Sequence, residues 1–421
     1  MLLSISIKNW MSFKEKTSFT MEAGKEQANR CTLAECKRFR LKLLPVAAIF
    51  GSNASGKSNF IKAVSFVQRL LMEPEKGVFS SKPYAFWFNE KLRKEPSEIE
   101  IQLMLGKYVY SYFLSFTNQR IIDESLAFIN TSSSNLLFCR SGSKLETSPS
   151  LSKKVTAESL RFVPPLLNKS QPALSILGEA KIDHVTDVLN WFKHSLKIIT
   201  PHSVSINKLA EDDTEEWKDF SNLDTGITKI RYQDCKEKLP YDVSRLSKDL
   251  QDGEYLYYRD PKSGVYRVGR NSDGLNMQKL LAVHGNRQGK EVIIPYQDES
   301  EGIKRLFNLL PAMKDLKRQD ASVTYFIDEF DRSLHPILTE HLLKCFLNSC
   351  GAETRKQLIF TTQNALLINQ ELLRRDELWI ANREPDGSAT LYPMTDFKEL
   401  RVDKDIRKSY FEGRMGGLPN L

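Results

Sequence analysis

An α/β fold is what this 421-residue chain predicts, and three stretches predict it. Val46-Ala-Ala-Ile-Phe50 is a short apolar run that ends in a glycine-containing turn. Phe60, Ile61, Val64, Val67, Leu70 and Leu71 follow at helical spacing, so the turn joins a strand end to a helix start. Val323-Thr-Tyr-Phe-Ile327 is a second buried-strand run, and it ends in two carboxylates, Asp328 and Glu329. Between them, Ile99–Leu105, Tyr108–Phe116 and Arg120–Leu126 read as a meander of strands, with Gly106-Lys107 and Asn118-Gln119 at the turns.

In chain order, Leu3, Ile5 and Ile7 alternate with polar positions, and Phe13, Phe19 and Met21 continue after a short break. This predicts an antiparallel pair leading into the Val46 strand. The turn after Phe50 is Gly51-Ser52-Asn53-Ala54-Ser55-Gly56-Lys57-Ser58, the G-x-x-x-x-G-K-S pattern of a P-loop, and Asn59 continues it into the helix. Its glycines let the backbone turn N–H groups around phosphate oxygens, the helix N-terminus adds its positive dipole end, and Lys57 supplies a point charge. The Ser58 hydroxyl is the expected Mg²⁺ ligand.

The aromatic loop Tyr84-Ala-Phe86-Trp87-Phe88 reads as core or partner surface rather than as a base-stacking platform. Residues 131 to 151 are rich in Ser, Thr and Asn and predict a linker or flexible loop. Ile182, Val185, Leu189, Phe192 and Leu196 share one helical face, and no heptad pattern is sustained, so a long coiled coil is not expected. Residues 201 to 290 hold an acidic patch at Glu211–Glu216, a short amphipathic helix near Val243 to Leu250, and a hairpin pattern from Tyr255 to Val268 around Asp260-Pro-Lys-Ser-Gly264.

Asp328 would orient Mg²⁺ or its water, and Glu329 is placed to polarise an attacking water. Two acids after an apolar run also occur at ordinary strand ends, and pairing with a P-loop is what makes them specific. Asp328 follows Lys57 by 271 positions, so a large insertion separates two halves of one nucleotide core. We therefore expect domains at 1–130 and 291–421, holding the two halves, and an inserted, mostly helical α/β subdomain at 131–290.

Composition excludes little. The formal charge of +8 is compatible with nucleic acid or an acidic partner but compels neither. The basic cluster Lys37, Arg38, Arg40 and Lys42 stays open as a nucleic-acid contact or a solvated face. The six cysteines show no C-x-x-C pair and no zinc-like spacing with the histidines, which points to a reducing compartment. No basic segment precedes an apolar run at the N-terminus, and no run reaches the roughly 18 residues of a membrane span, so a cytoplasmic protein without membrane contact is expected.

The motifs together resemble the ABC-type ATPase heads of the SMC, RecF and OLD group, with Gly51–Ser58 as Walker A, Ile327-Asp328-Glu329 as Walker B and Ser300-Glu301-Gly302 as signature. Within the group the chain is similar to the stand-alone RloA-like ATPases related to AbiL. Ile7-Lys-Asn-Trp-Met-Ser-Phe-Lys-Glu15 carries that likeness, as do His284 ahead of Glu299–Leu306, Phe330-Asp-Arg-Ser-Leu-His335-Pro336, Gln357–Thr362, and Tyr410-Phe-Glu-Gly-Arg-Met-Gly-Gly-Leu-Pro419. The resemblance covers roughly 1–130 and 280–421.

The resemblance implies ATP and Mg²⁺ as cofactors and a homodimer or higher homo-oligomer, in which ATP is sandwiched between the P-loop of one copy and Ser300 and Gly302 of another. Glu299 and Glu301 stand where the usual Leu-Ser-Gly-Gly-Gln has Leu and its first Gly, and an acid facing phosphate is unfavourable unless turned away. Ser300 as an ordinary helix cap remains the alternative. Gln363 replaces the usual switch histidine. It can hydrogen-bond a phosphate or a water but cannot carry a proton, so slow turnover is expected. Asn89 and Gln102 are the candidates for a Q-loop residue, and His335 is read as either a dimer-seam or a capping histidine.

What the resemblance implies functionally is an ATP-driven sensor or scaffold in prokaryotic anti-phage defence, controlling a separately encoded nuclease or toxin. OLD proteins carry a TOPRIM domain after the ATPase, and about 90 residues follow Walker B here, so the effector is expected on another polypeptide. The alternatives are a RecF-like DNA repair ATPase and a nucleotide-gated scaffold with little turnover.

Overall fold

The computed structural model describes residues 1–73, 84–131, 133–148, 169–180, 182–201, 223, 225–235, 243, 250, 255–260, 264–271, 274–285, 290–397 and 406–418. Strands β1 (Leu2–Lys8) and β2 (Thr17–Thr20) form the expected antiparallel pair, with Ile5 opposite Phe19. A short hairpin of β3 (Ala34–Cys36) and β4 (Leu41–Leu43) leads into β5 (Val46–Phe50), in which all five residues are buried. Helix α1 (Lys57–Met72) starts directly after the glycine-containing turn and buries Phe60, Ile61, Val64, Val67, Leu70 and Leu71 on the stripe that a 3.6-residue period requires.

The meander follows as β6 (Ser97–Leu105), β7 (Tyr108–Phe116) and β8 (Ile121–Ile129). It extends further than expected, since β9 (Ser134–Ser141) and β10 (Lys144–Thr147) occupy much of the stretch read as a linker. The polar residues that suggested a loop fall at exposed positions of β9, while Leu137, Phe138 and Arg140 are buried. The resulting seven-stranded antiparallel sheet has the order β10-β9-β8-β7-β6-β1-β2. Residues 149–168 lie outside the described residues.

Helices α2 (Ala173–Glu179) and α3 (Val185–Asn190) come next. The helix expected through Leu196 instead becomes a single π turn, Trp191–Ser195, and then strand β11 (Leu196–Ile199). The irregular end is satisfied from outside, because Gln68 Nε2 on α1 donates to the carbonyls of Phe192 (2.8 Å) and Leu196 (3.0 Å).

The chain divides into two compact units: Met1–Thr200 with Leu316–Asp331 and Leu343–Leu421, and Pro201–Asp315 with Arg332–Leu342. The break falls at Thr200, later than the expected residue 130, because β9 to β11 pair with strands of the first unit and α2 and α3 pack into its core.

In the second unit, β12 (Ile227–Asp234), β13 (Tyr255–Asp260), β14 (Gly264–Asn271), β15 (Gly274–Gly285) and β16 (Glu291–Pro295) form an antiparallel sheet of order β12-β15-β14-β13, with β16 also on β15. The expected β13–β14 hairpin is present, with Leu256 opposite Val268. The insert is therefore a sheet over its described residues after Pro201, where a mostly helical one was expected. The acidic patch and most of the Val243–Leu250 segment lie outside the described residues. Helix α4 (Glu301–Lys317) follows the sheet.

The first unit's second sheet adds β17 (Thr324–Ile327), β18 (Gln357–Thr361), β19 (Leu378–Arg383) and β20 (Ala389–Pro393), in the order β11-β17-β18-β5-β19-β20. All neighbours are parallel except β19–β20. Helices α5 (Pro336–Leu347) and α6 (Ile406–Phe411) complete the described elements. Phe66 stacks on Phe116 (4.5 Å between ring centres) and touches Trp10 (5.3 Å), so α1 and the antiparallel sheet share one aromatic core.

Candidate functional site

In the parallel sheet β18 lies between β17 and β5, with Phe360 opposite both Ile327 and Ala48. The C-terminal ends of the three strands therefore open on one edge, where α/β sheets of this kind place their ligands. Asp328 and Thr361, 33 residues apart, reach that edge together with Gly51 from far earlier in the chain.

The P-loop is built so that only glycine fits its corners. Gly56 has φ 102°, and a Cβ there would stand 2.7 Å from the Ala389 Cβ. A Cβ on Gly51 would meet the Ala381 carbonyl oxygen at 2.3 Å. Lys57 is buried, and its Nζ donates to the Gly51 and Ser52 carbonyls at 2.6 and 2.7 Å. Burial pulls its pKa down to about 8, against the smaller opposing effects of Asp328, Glu329 and Asp331. Ser55 is also buried, and its Oγ has no hydrogen-bond partner.

Asp328 Oδ1 accepts from the Ser58 hydroxyl (3.1 Å) and from the Thr361 hydroxyl (2.6 Å). Thr361 Oγ1 in turn accepts the Glu329 N–H at 2.8 Å. Glu329 has φ 51°, a left-handed backbone that a glutamate adopts at a cost, so this bond holds a strained residue in place. Gln363 Nε2 donates to Asn53 Oδ1 at 2.8 Å and ties the end of β18 to the P-loop.

The Ile7–Glu15 segment also serves the loop. Trp10 Nε1 donates to the Asn59 carbonyl (2.8 Å), and Asn59 Nδ2 donates to the Ser12 hydroxyl (3.0 Å). A cleft of about 470 Å³ opens over these groups, lined by Asn53 to Asn59, Met11, Ser12, Lys62, Trp87, Phe88, Glu329, Gln363, Arg383 and Gly387.

The residues fit a phosphate and a hard cation. The glycine corners leave space for no side chain, an unpartnered buried hydroxyl and a buried ammonium lie in the loop, and Ser58 and Asp328 bring two oxygens of the kind Mg²⁺ takes together. When bound, Mg²⁺ would supply charge to neutralise phosphate oxygens. The chain's own contribution is to line one cleft with Lys57, Ser58, Glu329 and Gln363 and to hold Asp328 against the Ser58 hydroxyl.

Among the expected site residues, the structure brings together Gly51 to Asn59, Asp328, Glu329 and Gln363. Ser300 and Gly302 belong to the second unit. There the Ser300 hydroxyl accepts the Ile303 N–H (3.2 Å) and caps α4. A Cβ on Gly302 would stand 2.7 Å from the Ser333 carbonyl oxygen. Both unusual acids of this segment are engaged, Glu299 with His284 Nε2 (2.6 Å) and Glu301 with Lys304 (3.0 Å).

Neither Q-loop candidate lines the cleft. The Asn89 side chain caps Lys91 and Leu92, and Gln102 accepts from Ser4 on the neighbouring strand and donates to Glu100 on its own. His335 Nδ1 accepts the Ile337 N–H (3.3 Å), a capping role at α5. In the basic cluster Lys42 pairs with Glu35 (3.0 Å) and Lys37 with Glu353 (3.8 Å), which dilutes its positive field.

Three contributors were missed by sequence reading. Thr361 lay inside a strand run and carried no signal of its own. Arg383 ends β19 without a motif. Trp87, read as core or partner surface, is 51% exposed and lines the cleft, and its place in a run of aromatics between two elements was the available signal.

Fold and site define an α/β P-loop domain, with the loop between a buried strand and its following helix. Residues 46–369 match the family described as "AAA domain, putative AbiEii toxin, Type IV TA system", and the chain belongs to that family. It is similar in structure to the SMC head domain from Thermotoga maritima, at 14% identity and TM-score 0.39, over 93% of this chain and 98% of that one. An SMC head bound to the C-winged helix domain of ScpA aligns at 14% identity and TM-score 0.40, over 93% and 97%. No curated protein matches the chain. Among the described residues no helix is long and apolar enough to cross a membrane.

Proposed function

We propose that the chain binds and slowly hydrolyses ATP with Mg²⁺ and works as a nucleotide-gated switch. The observation that carries this reading is the Ser58–Asp328–Thr361–Glu329 chain of hydrogen bonds beside a lysine-filled P-loop, because it links the hydroxyl and carboxylate expected to hold the cation to the backbone of the residue expected to orient water. Glu329 orients the attacking water, and Gln363 holds the phosphate or that water by its amide without taking a proton. The expected arrangement is a homodimer or larger homo-oligomer in which Ser300 and Gly302 of one copy close over the nucleotide of another.

The family's description names a toxin of a type IV toxin–antitoxin system, and the sequence motifs resemble RloA-like and AbiL-related ATPases. The toxin–antitoxin description supports a role in a prokaryotic defence system. The resemblance to RloA-like ATPases is what favours a cytoplasmic sensor or scaffold in anti-phage defence that controls a separately encoded nuclease or toxin. The test is molecular mass by light scattering, with phosphate release, with and without ATP and Mg²⁺, for the chain and for Lys57→Ala. Mass and phosphate release that rise with ATP only when Lys57 is present support the reading. Indifference of both chains to nucleotide overturns it.

A further inference from the structure

Phosphate chemistry leaves one wall of the cleft unused. Trp87 and Phe88 are 51% and 65% exposed, and both line the cleft that holds Lys57 and Ser58. Two large rings more than half exposed in one cleft leave apolar area that a flat ligand would bury favourably.

They are held there firmly. Asn9, buried and in a left-handed backbone, accepts the Phe86 N–H at Oδ1 (3.0 Å) and donates from Nδ2 to the Leu92 carbonyl (2.8 Å). Met11 N–H donates to the Tyr84 carbonyl (2.6 Å), and Arg93 Nε donates to the Trp87 carbonyl (2.7 Å). The Phe88 ring lies on Gly387, where a Cβ would come within 3.0 Å of Cδ2. A side chain at that position would push the ring out of place.

We propose that Trp87 and Phe88 form the base platform of the nucleotide site, taking the flat face of the nucleobase while the P-loop takes the phosphates. This rests on the nucleotide reading above. A nucleoside triphosphate is the ligand class that carries phosphates at one end and an aromatic face at the other, matching the two walls of this one cleft. Stacking reads ring area rather than ring edge, so the platform favours purines over pyrimidines and discriminates little between ATP and GTP.

The experiment measures affinity of the full chain for ATP, CTP and inorganic tripolyphosphate, each with Mg²⁺, by calorimetry. It compares the chain itself with Trp87→Ala, Phe88→Ala, the double variant and the aromatic-retaining Trp87→Phe. The expected result is that each alanine weakens ATP binding by about fivefold to 150-fold, the range of base–aromatic stacking. Tripolyphosphate affinity stays within about twofold, and Trp87→Phe recovers most of the loss. Equal affinity of the chain for ATP and tripolyphosphate, or unchanged ATP affinity in the double variant, overturns the platform and leaves the phosphate site standing. Binding of neither ligand overturns both readings.

Discussion

Thr361→Val tests the centre of the site, because it removes one hydroxyl and almost no volume. Thr361 is fully buried, and its Oγ1 both donates to Asp328 Oδ1 at 2.6 Å and accepts the Glu329 N–H at 2.8 Å. The valine deletes a hydrogen bond to a carboxylate, worth about 1.5–3 kcal/mol, and leaves a backbone donor without its acceptor, at about 1–3 kcal/mol. The two losses share one atom and do not add in full, so we expect a destabilisation of about 3 kcal/mol. Denaturant unfolding without nucleotide measures it.

Glu329, with φ 51°, also loses the bond that fixes its backbone. If about 3 kcal/mol of positioning is lost in the transition state, phosphate release per site falls by about two powers of ten while ATP affinity without Mg²⁺ changes little. Thr361→Ser restores the hydroxyl and should recover both stability and rate. A Thr361→Val chain within about 1 kcal/mol of the parent and with its phosphate release intact would refute the reasoning.

Two further expectations concern protons. Lys57 titrates at about 8 because burial strips its hydration, and phosphate oxygens would push that value back up. ATP binding should therefore take up a proton increasingly as pH rises past 8, which calorimetry in buffers of different ionisation enthalpy detects, and Lys57→Ala should abolish the uptake. Glu377 is buried, accepts the Arg374 N–H at 2.8 Å, and is raised to about 8 from the usual 4.5 by desolvation above all. The folded state keeps that proton while the unfolded state releases it, so this group favours folding most below pH 4.5. Its contribution falls by up to about 1.4 kcal/mol per unit between pH 4.5 and 8. Glu377→Gln should flatten stability over that window, as unfolding midpoints from pH 5 to 8 would show.

Much of the fold was legible because its signals are local. The Val46–Phe50 and Val323–Ile327 runs, the Gly-Lys-Ser turn and the alternation from Ile99 to Leu126 each announce themselves within a few residues, and each forms the element expected. The misreadings share one cause. Residues 131 to 147 look like a loop because the polar run Thr131-Ser-Ser-Ser-Asn135 hides the buried Leu137 and Phe138 that follow it, and only pairing with β8 makes the segment a strand. Leu196 continues a helical stripe in sequence but is claimed by β17 in space. Asn89 and Gln102 were plausible site residues by type, yet their amides are spent on local turns and on the sheet.

Sequence by itself determined that a phosphate loop and a carboxylate-ended strand exist, because glycine conformational freedom, the Gly51-to-Lys57 spacing and apolar runs are properties of neighbouring residues. Tertiary structure alone decided what surrounds them. Inserting β18 between β17 and β5 brings Thr361 to Asp328 and Gln363 to Asn53, and the Asn9-anchored loop sets Trp87 and Phe88 on the cleft. Strand order and loop anchoring are long-range pairings between segments far apart in the chain, and no local period encodes them.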